Sequence, residues 1–221
     1  MSSDTTFNTF LLAAAMAFAL GALPSAYIIG RLNGINVFKV GSRQAGATNI
    51  WREVSRKQGV IVTLIDFSKG ISAILIARYL ALESVELLIP TTAAIAGHWN
   101  SPFTKFKGGD GVVTLMGTSI VIAPMLVFIG LAVGTALAVG MNRKLKHPSL
   151  WGGVAGYATF IWLSFSPNST VDPIVVYGLT AIGLSILLHS MYFHRRHKEY
   201  FRLERPVEEE PEPTFRQDGL G

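Results

Sequence analysis

The chain has 221 residues, of which half are hydrophobic and only 15% are charged, against about 25% in a soluble globular domain. The apolar residues come in long blocks between short polar stretches, which excludes an ordinary soluble fold and points to a polytopic membrane protein. The net charge is +5 and there is no cysteine, so disulfides, thiolate metal sites and cysteine nucleophiles are all excluded.

A spanning helix needs about 20 predominantly apolar residues. The first block, Phe7 to Gly30, has only Asp4 as a charge ahead of it and runs on through Pro24. It therefore reads as a retained transmembrane helix rather than a cleaved signal peptide. Further candidates are 59–82, 85–98, 111–123, 125–141, 149–165 and 173–193. The stretches 85–98 and 111–123 are short, and Pro124 follows the second at once. The stretch 111–123 is thus predicted as a half-helix entering a tight turn, an element tolerated where it lines a polar cavity. The expected fold is an all-α membrane protein of seven transmembrane segments, two of them short. It forms a single domain over 1–205, followed by an acidic, Pro-rich tail over 206–221 predicted to be disordered.

All but Lys69 and Arg78 of the nineteen Lys and Arg residues fall in the 31–58, 99–110 and 141–148 connections and the C-terminal segment. The alternate connections hold only Glu83, Glu86 and Asp172. By the positive-inside rule the basic side is cytoplasmic, so the N-terminus is expected outside and the C-terminus inside. Asp66 and Lys69 lie three apart within the second segment and share a helix face. They either tie two helices together or contact substrate. Arg78, near the outer end, is expected to snorkel.

Three stretches carry possible chemistry, all on the basic side. The 31–58 connection reads Gly-Ser-Arg-Gln-Ala-Gly-Ala-Thr-Asn-Ile-Trp-Arg over 41–52. Ser42, Thr48 and Asn49 offer short polar side chains and Arg52 a phosphate fork, so the run fits an anion site or a merely well-ordered loop. Lys105-Phe106-Lys107-Gly108-Gly109-Asp110-Gly111 leads into the fourth segment, where free N–H groups and a helix dipole favour phosphate. It is not a nucleotide P-loop, and Asp110 is a good N-cap that would occupy the helix start itself. His194-Arg195-Arg196-His197 closes the last segment, and it suits either a metal or anionic lipid. His98 belongs to the same side.

These motifs, with Asp66-Phe67-Ser68-Lys69-Gly70, Gly97-His98 and Pro102-Phe103, resemble in order and spacing the bacterial acyl-phosphate:glycerol-3-phosphate acyltransferases, the PlsY family. The resemblance covers about residues 15 to 205, and Leu23 to Gly30 and His194-Arg195 share it. It implies a multi-pass protein of the bacterial inner membrane that moves an acyl group from acyl phosphate to glycerol 3-phosphate at its cytoplasmic face. Membrane lipids would surround it. No nucleic acid, metal or other cofactor would take part, and the oligomeric state is left open. By that resemblance Ser42, Arg52 and His194 are catalytic. Thr48, Asn49, His98, Lys105, Lys107, Gly108, Gly109, Asp110, Gly111 and His197 bind substrate.

Three positions depart from the family pattern: Gln44 stands for Asn, Asp110 for the Lys of Gly-Gly-Lys-Gly, and His197 for Asn. A charge inversion about 4 Å from an anion is worth roughly 8 kcal/mol at an effective dielectric of 20, before desolvation and relaxation offset much of it. Two readings follow. One is an active acyltransferase in which Lys105 or Lys107 replaces the missing lysine. The other is a non-catalytic or substrate-shifted paralogue that binds a lipid or phosphorylated ligand. The wet features sit at one face and there is no inverted repeat, which disfavours a transporter.

Overall fold

In the computed structural model the described residues are 3–141, 148–167, 169 and 171–203, with side chains described over 6–141, 151–167, 169 and 171–193. Every regular element among them is helical: α1 (Ser3–Ala22), α2 (Ser25–Leu32), α3 (Ala47–Glu53), α4 (Arg56–Tyr79), α5 (Leu88–Trp99), α6 (Val112–Ile122), α7 (Pro124–Gly140), α8 (Pro148–Ser164) and α9 (Pro173–Leu203). Among the described residues three stretches are long and apolar enough to cross a membrane: Thr6–Leu32, Arg56–Tyr79 and Pro173–Phe193. The other expected segments are the shorter helices α5 to α8. The 11 residues of α6 rise only about 16 Å, against a hydrocarbon core of about 30 Å. The chain divides into two compact units, Met1–Ile186 and Leu187–Gly221.

The first unit turns an apolar surface outward and keeps polar groups inside. Leu64 and Leu75 on α4 and Met125 and Phe128 on α7 are exposed, whereas Asp66, Lys69, Thr114 and Thr118 are buried. That distribution suits lipid as solvent. Its main core joins Ala13, Ile74, Ala77, Leu126, Phe160, Val175 and Leu179. A second, small core of Ala26, Ile29, Val37, Ala45, Ile50 and Val62 underlies the 33–46 loop.

Helices do not associate hydrophobically in lipid, so close backbone packing and interhelical hydrogen bonds hold them together. Here glycines on both partners supply the close packing. A β-carbon at Gly21 of α1 would lie 2.0 Å from the Ala94 carbonyl oxygen of α5, and one at Gly97 of α5 would lie 2.2 Å from that of Phe18. Gly70 of α4 and Gly117 of α6 meet Thr114 and Phe67 in the same reciprocal way. The α7–α8 pair is built from two Gly-x-x-x-Gly runs. Gly130 faces Gly156 and Gly134 faces Gly152, with carbonyl oxygens 2.4 to 2.8 Å from the added β-carbons.

The first apolar block is not one continuous helix. It breaks at Leu23-Pro24, because proline has no N–H for the ladder. Leu23 O accepts from Ser25 N at 3.0 Å and from Lys69 Nζ at 2.5 Å. Lys69 Nζ also bonds Asp66 Oδ1 at 2.7 Å and Ser25 Oγ at 3.2 Å, while Ser25 Oγ donates to Asp66 Oδ1 at 2.6 Å. The Asp66–Lys69 pair therefore braces the α1–α2 break. Arg78 is exposed near the end of α4. The predicted turn at Pro124 is present, with Ala123 alone between α6 and α7.

Candidate active site

The 33–46 loop is folded around one side chain. Asn49 is 2% exposed, and its Nδ2 donates to Val37 O and Gln44 O, both at 3.0 Å, and to Val40 O at 3.3 Å. Its Oδ1 accepts from Ser42 N at 3.1 Å. Gly41 crosses over this amide at φ +52, where a β-carbon would come within 2.3 Å of Asn49 Oδ1. Only glycine meets both demands. Both ends of the Asn49 amide, a residue expected to contact substrate, are bonded within the loop. Ser42 is left half-buried, while Thr48 and Arg52 are exposed, Arg52 in the last turn of α3.

The second loop starts where α5 ends. Ser101 Oγ donates to Ala22 O, the last carbonyl of α1, and ties the loop to the α1–α2 break. The loop turns back through Lys105 (φ 57) and Phe106 (φ 59), with Phe106 N on Ser101 O and Thr104 Oγ1 on Lys107 O. Lys105 and Lys107 are exposed, and Lys107 Nζ lies 6.0 Å from the Phe38 ring centroid.

Gly108 and Gly109 pass between two walls of backbone. A β-carbon at Gly108 would sit 1.9 Å from His98 O, and one at Gly109 would sit 2.5 Å from Ala45 O and 2.7 Å from His98 Nε2. The contact is bonded as well as close: Ala45 N donates to Gly108 O at 3.2 Å, and Gly109 N to His98 O at 3.3 Å. His98 is 8% exposed, with Nδ1 3.4 Å from Thr114 Oγ1 of α6. The two sequence motifs thus meet directly. Pro24, Ser25, Ala45, His98, Lys107 and Gly108 line a narrow crevice at their junction.

Asp110 does not cap α6. Gly111 holds the N-cap position at φ +86, in the left-handed region that favours glycine, and no side chain caps this helix. The Asp110 backbone carbonyl accepts from Trp99 Nε1 at 2.7 Å, and its carboxylate accepts from Gln44 Nε2 at 2.7 Å. Of the other expected site residues, His194 and His197 fall on α9 beyond the described side chains. Sequence reasoning singled out neither Ala45 nor Ser25 as parts of this junction. The polar Ser25 after Leu23-Pro24, at the end of an apolar run, was the available signal for one of them.

A sequence model of the family described as glycerol-3-phosphate acyltransferase matches residues 11–202. The chain is 32% identical over 174 residues to glycerol-3-phosphate acyltransferase 1 of Deinococcus radiodurans, covering 79% of this chain and 86% of that one. It is 34% identical over 181 residues to the glycerol-3-phosphate acyltransferase of Thermoanaerobacter pseudethanolicus, covering 81% and 87%. Two crystal structures of PlsY (YgiH), an integral membrane glycerol 3-phosphate acyltransferase, are similar in fold. The glycerol 3-phosphate form gives a TM-score of 0.67 at 27% identity, over 88% of this chain and 92% of that one. The lysophosphatidic acid form gives 0.65 at 25% identity.

Proposed function

The chain belongs to the glycerol-3-phosphate acyltransferase family, and from that premise we propose that it acylates glycerol 3-phosphate with acyl phosphate as donor, on the cytoplasmic face of a bacterial inner membrane. The observation that carries this reading is the direct contact between the 41–46 loop and Gly108-Gly109, at the start of a helix that no side chain caps. N–H groups and the helix dipole there favour a phosphate, and the exposed Lys105 and Lys107 add positive charge. His98 borders the same junction, and Gly111 turns the chain into α6.

The reaction needs little covalent help from the protein. The acceptor hydroxyl oxygen bonds to the acyl carbonyl carbon, the carbon–oxygen bond to phosphate breaks, and the departing phosphate ends with the hydroxyl proton. Positioning and charge stabilisation dominate such a transfer. Arg52 would hold a phosphate in two-point fashion, while Ser42 and Thr48 donate hydrogen bonds to phosphate or orient the hydroxyl. The resemblance alone adds His194 and His197 as residues expected to act in the same reaction. No acyl-serine intermediate is invoked.

The acyl chain has a natural place. An apolar cavity of about 470 Å³ lies between α6, α7, α8 and α9, with Val112, the first residue of α6, on its lining. The phosphate end and the chain end of the donor would therefore be served by the same short helix. A seven-segment topology with the N-terminus outside would place this loop cluster inside, in keeping with the basic loops. The non-catalytic reading is motivated by Gln44, Asp110 and His197 together; of these, the Asp110 carboxylate is bonded by Gln44 Nε2.

Purified protein with radiolabelled glycerol 3-phosphate and palmitoyl phosphate should form 1-acylglycerol 3-phosphate, and Arg52→Ala should abolish it. Turnover only with palmitoyl-CoA would overturn the donor assignment. No turnover with either donor would overturn the enzymatic reading.

A further inference from the structure

Gln44 and Asp110 are 66 residues apart in sequence, yet they bond each other at 2.7 Å. Gln44 is 5% exposed and Asp110 is half-buried. The bond lies beside the two backbone contacts that join the same loops, Ala45 N to Gly108 O and Ala45 O against Gly109. Gln44 is held in turn, since its own backbone carbonyl accepts from Asn49 Nδ2. Its amide therefore meets Asp110 from a fixed position, while Trp99 Nε1 fixes the Asp110 backbone.

A carboxylate one residue ahead of an uncapped helix start is chemically a competitor for any anion bound there. It carries the same charge, and it is a strong acceptor for the same N–H groups. The Gln44 amide donates to it and so gives it another partner. We propose that Gln44 is a positioning residue that holds the Asp110 carboxylate off the phosphate site, so the two residues work as a pair: the amide restrains the acid. Gln44 acts on substrate only through Asp110. This inference rests on the assignment of the glycine loop to phosphate binding.

The test is a mutant cycle read by binding of glycerol 3-phosphate to the full-length protein, with turnover measured alongside. Gln44→Met keeps much of the side-chain length and removes the donor. It should weaken glycerol 3-phosphate binding by about tenfold, because a freed carboxylate then opposes the phosphate at close range. The loss should shrink as salt is raised. Asp110→Asn alone should tighten binding. Gln44→Met/Asp110→Asn should bind at least as tightly as the unmodified protein, because the damage exists only while the carboxylate does. Gln44→Glu provides a second route and should weaken binding further, again with rescue by Asp110→Asn.

A purely structural role for Gln44 would give salt-independent losses with no rescue. Losses that persist in the double variant would overturn the proposal, as would unchanged binding in both Gln44→Met and Gln44→Glu. Should Gln44→Met fail to fold, the Gln44→Glu pair decides alone. Binding without turnover in the unmodified protein would sink the acyl-transfer reading and leave this inference standing. No binding by the unmodified protein would sink both.

Discussion

An alanine at position 108 is the smallest change that tests whether the two loops must touch. Its β-carbon would stand 1.9 Å from His98 O and 2.6 Å from Trp99 O, whereas real β-carbons essentially never come closer than 3.0 Å. The loop would have to retreat by about 1.1 Å from the nearer atom. Neither neighbour can swing aside, since both are backbone atoms in the last turn of α5. The retreat would act on Ala45 N to Gly108 O at 3.2 Å and Gly109 N to His98 O at 3.3 Å, bonds already at or just past the long end of the usual range. Overpacking of this kind costs about 1–3 kcal/mol of stability. The effect on rate should be larger, because a misplacement of about 1 Å among positioning groups can cost about 100-fold. Gly108→Ala should therefore fold, with a lowered unfolding midpoint, and turn over about 100-fold more slowly. Gly140→Ala is the comparison, since nothing among the described residues lies within 4 Å of a β-carbon there. A Gly108→Ala protein that keeps its rate within about twofold would refute the claim that backbone contact sets the site geometry.

The brace at the α1–α2 break gives a second expectation. Lys69→Met leaves Asp66 buried without its cation and should cost about 3–5 kcal/mol, seen as a fall in the thermal unfolding midpoint; an unchanged midpoint would contradict the brace. Asn49→Asp replaces a donor that meets three carbonyl oxygens by an acceptor, and should lose about 1–3 kcal/mol together with most activity. Differential scanning fluorimetry and the acyl-transfer assay check both effects, and full activity would rule out the bracket role. Gly153 lines the apolar cavity and has nothing within 4 Å of a β-carbon, so Gly153→Phe should fill space meant for the acyl chain. Its KM should rise for palmitoyl phosphate and stay level for a short-chain donor; equal change for both would remove the chain from this cavity.

How much of this was legible in the sequence depended on whether the decisive partner was local. The turn at Pro124 was readable because proline acts on its own neighbours. The break at Pro24 was masked by apolar residues on both sides of it, and the groups that stabilise it, Asp66 and Lys69, are more than 40 residues away. Asp110 had the right chemistry for an N-cap, but its partner is Gln44 in another loop, and the adjacent Gly111 could take the left-handed turn. The bonds of the Asn49 amide within its own loop were not legible, because residue type does not reveal whether a polar group is satisfied from within. The glycines were visible as letters, while their reciprocal contacts depend on which helices become neighbours. Both loops are marked by their motifs, while the contact between them, Ala45 N to Gly108 O, joins residues far apart in sequence.

The Gly-x-x-x-Gly pairs of α7 and α8 have a consequence beyond joining two helices. Gly130, Gly134, Gly152 and Gly156 also line the apolar cavity, so much of its room exists because side chains are missing there. Enlarging any of these four residues to narrow the trough would wedge apart the helices that form it. Container shape and helix adhesion are thus written into the same residues and cannot drift separately. With the acyl chain placed here as proposed, chain-length preference can change at lining residues other than those four, such as Leu115, Met116 and Ser119 on α6, or Gly153, which stands clear of the helix seam.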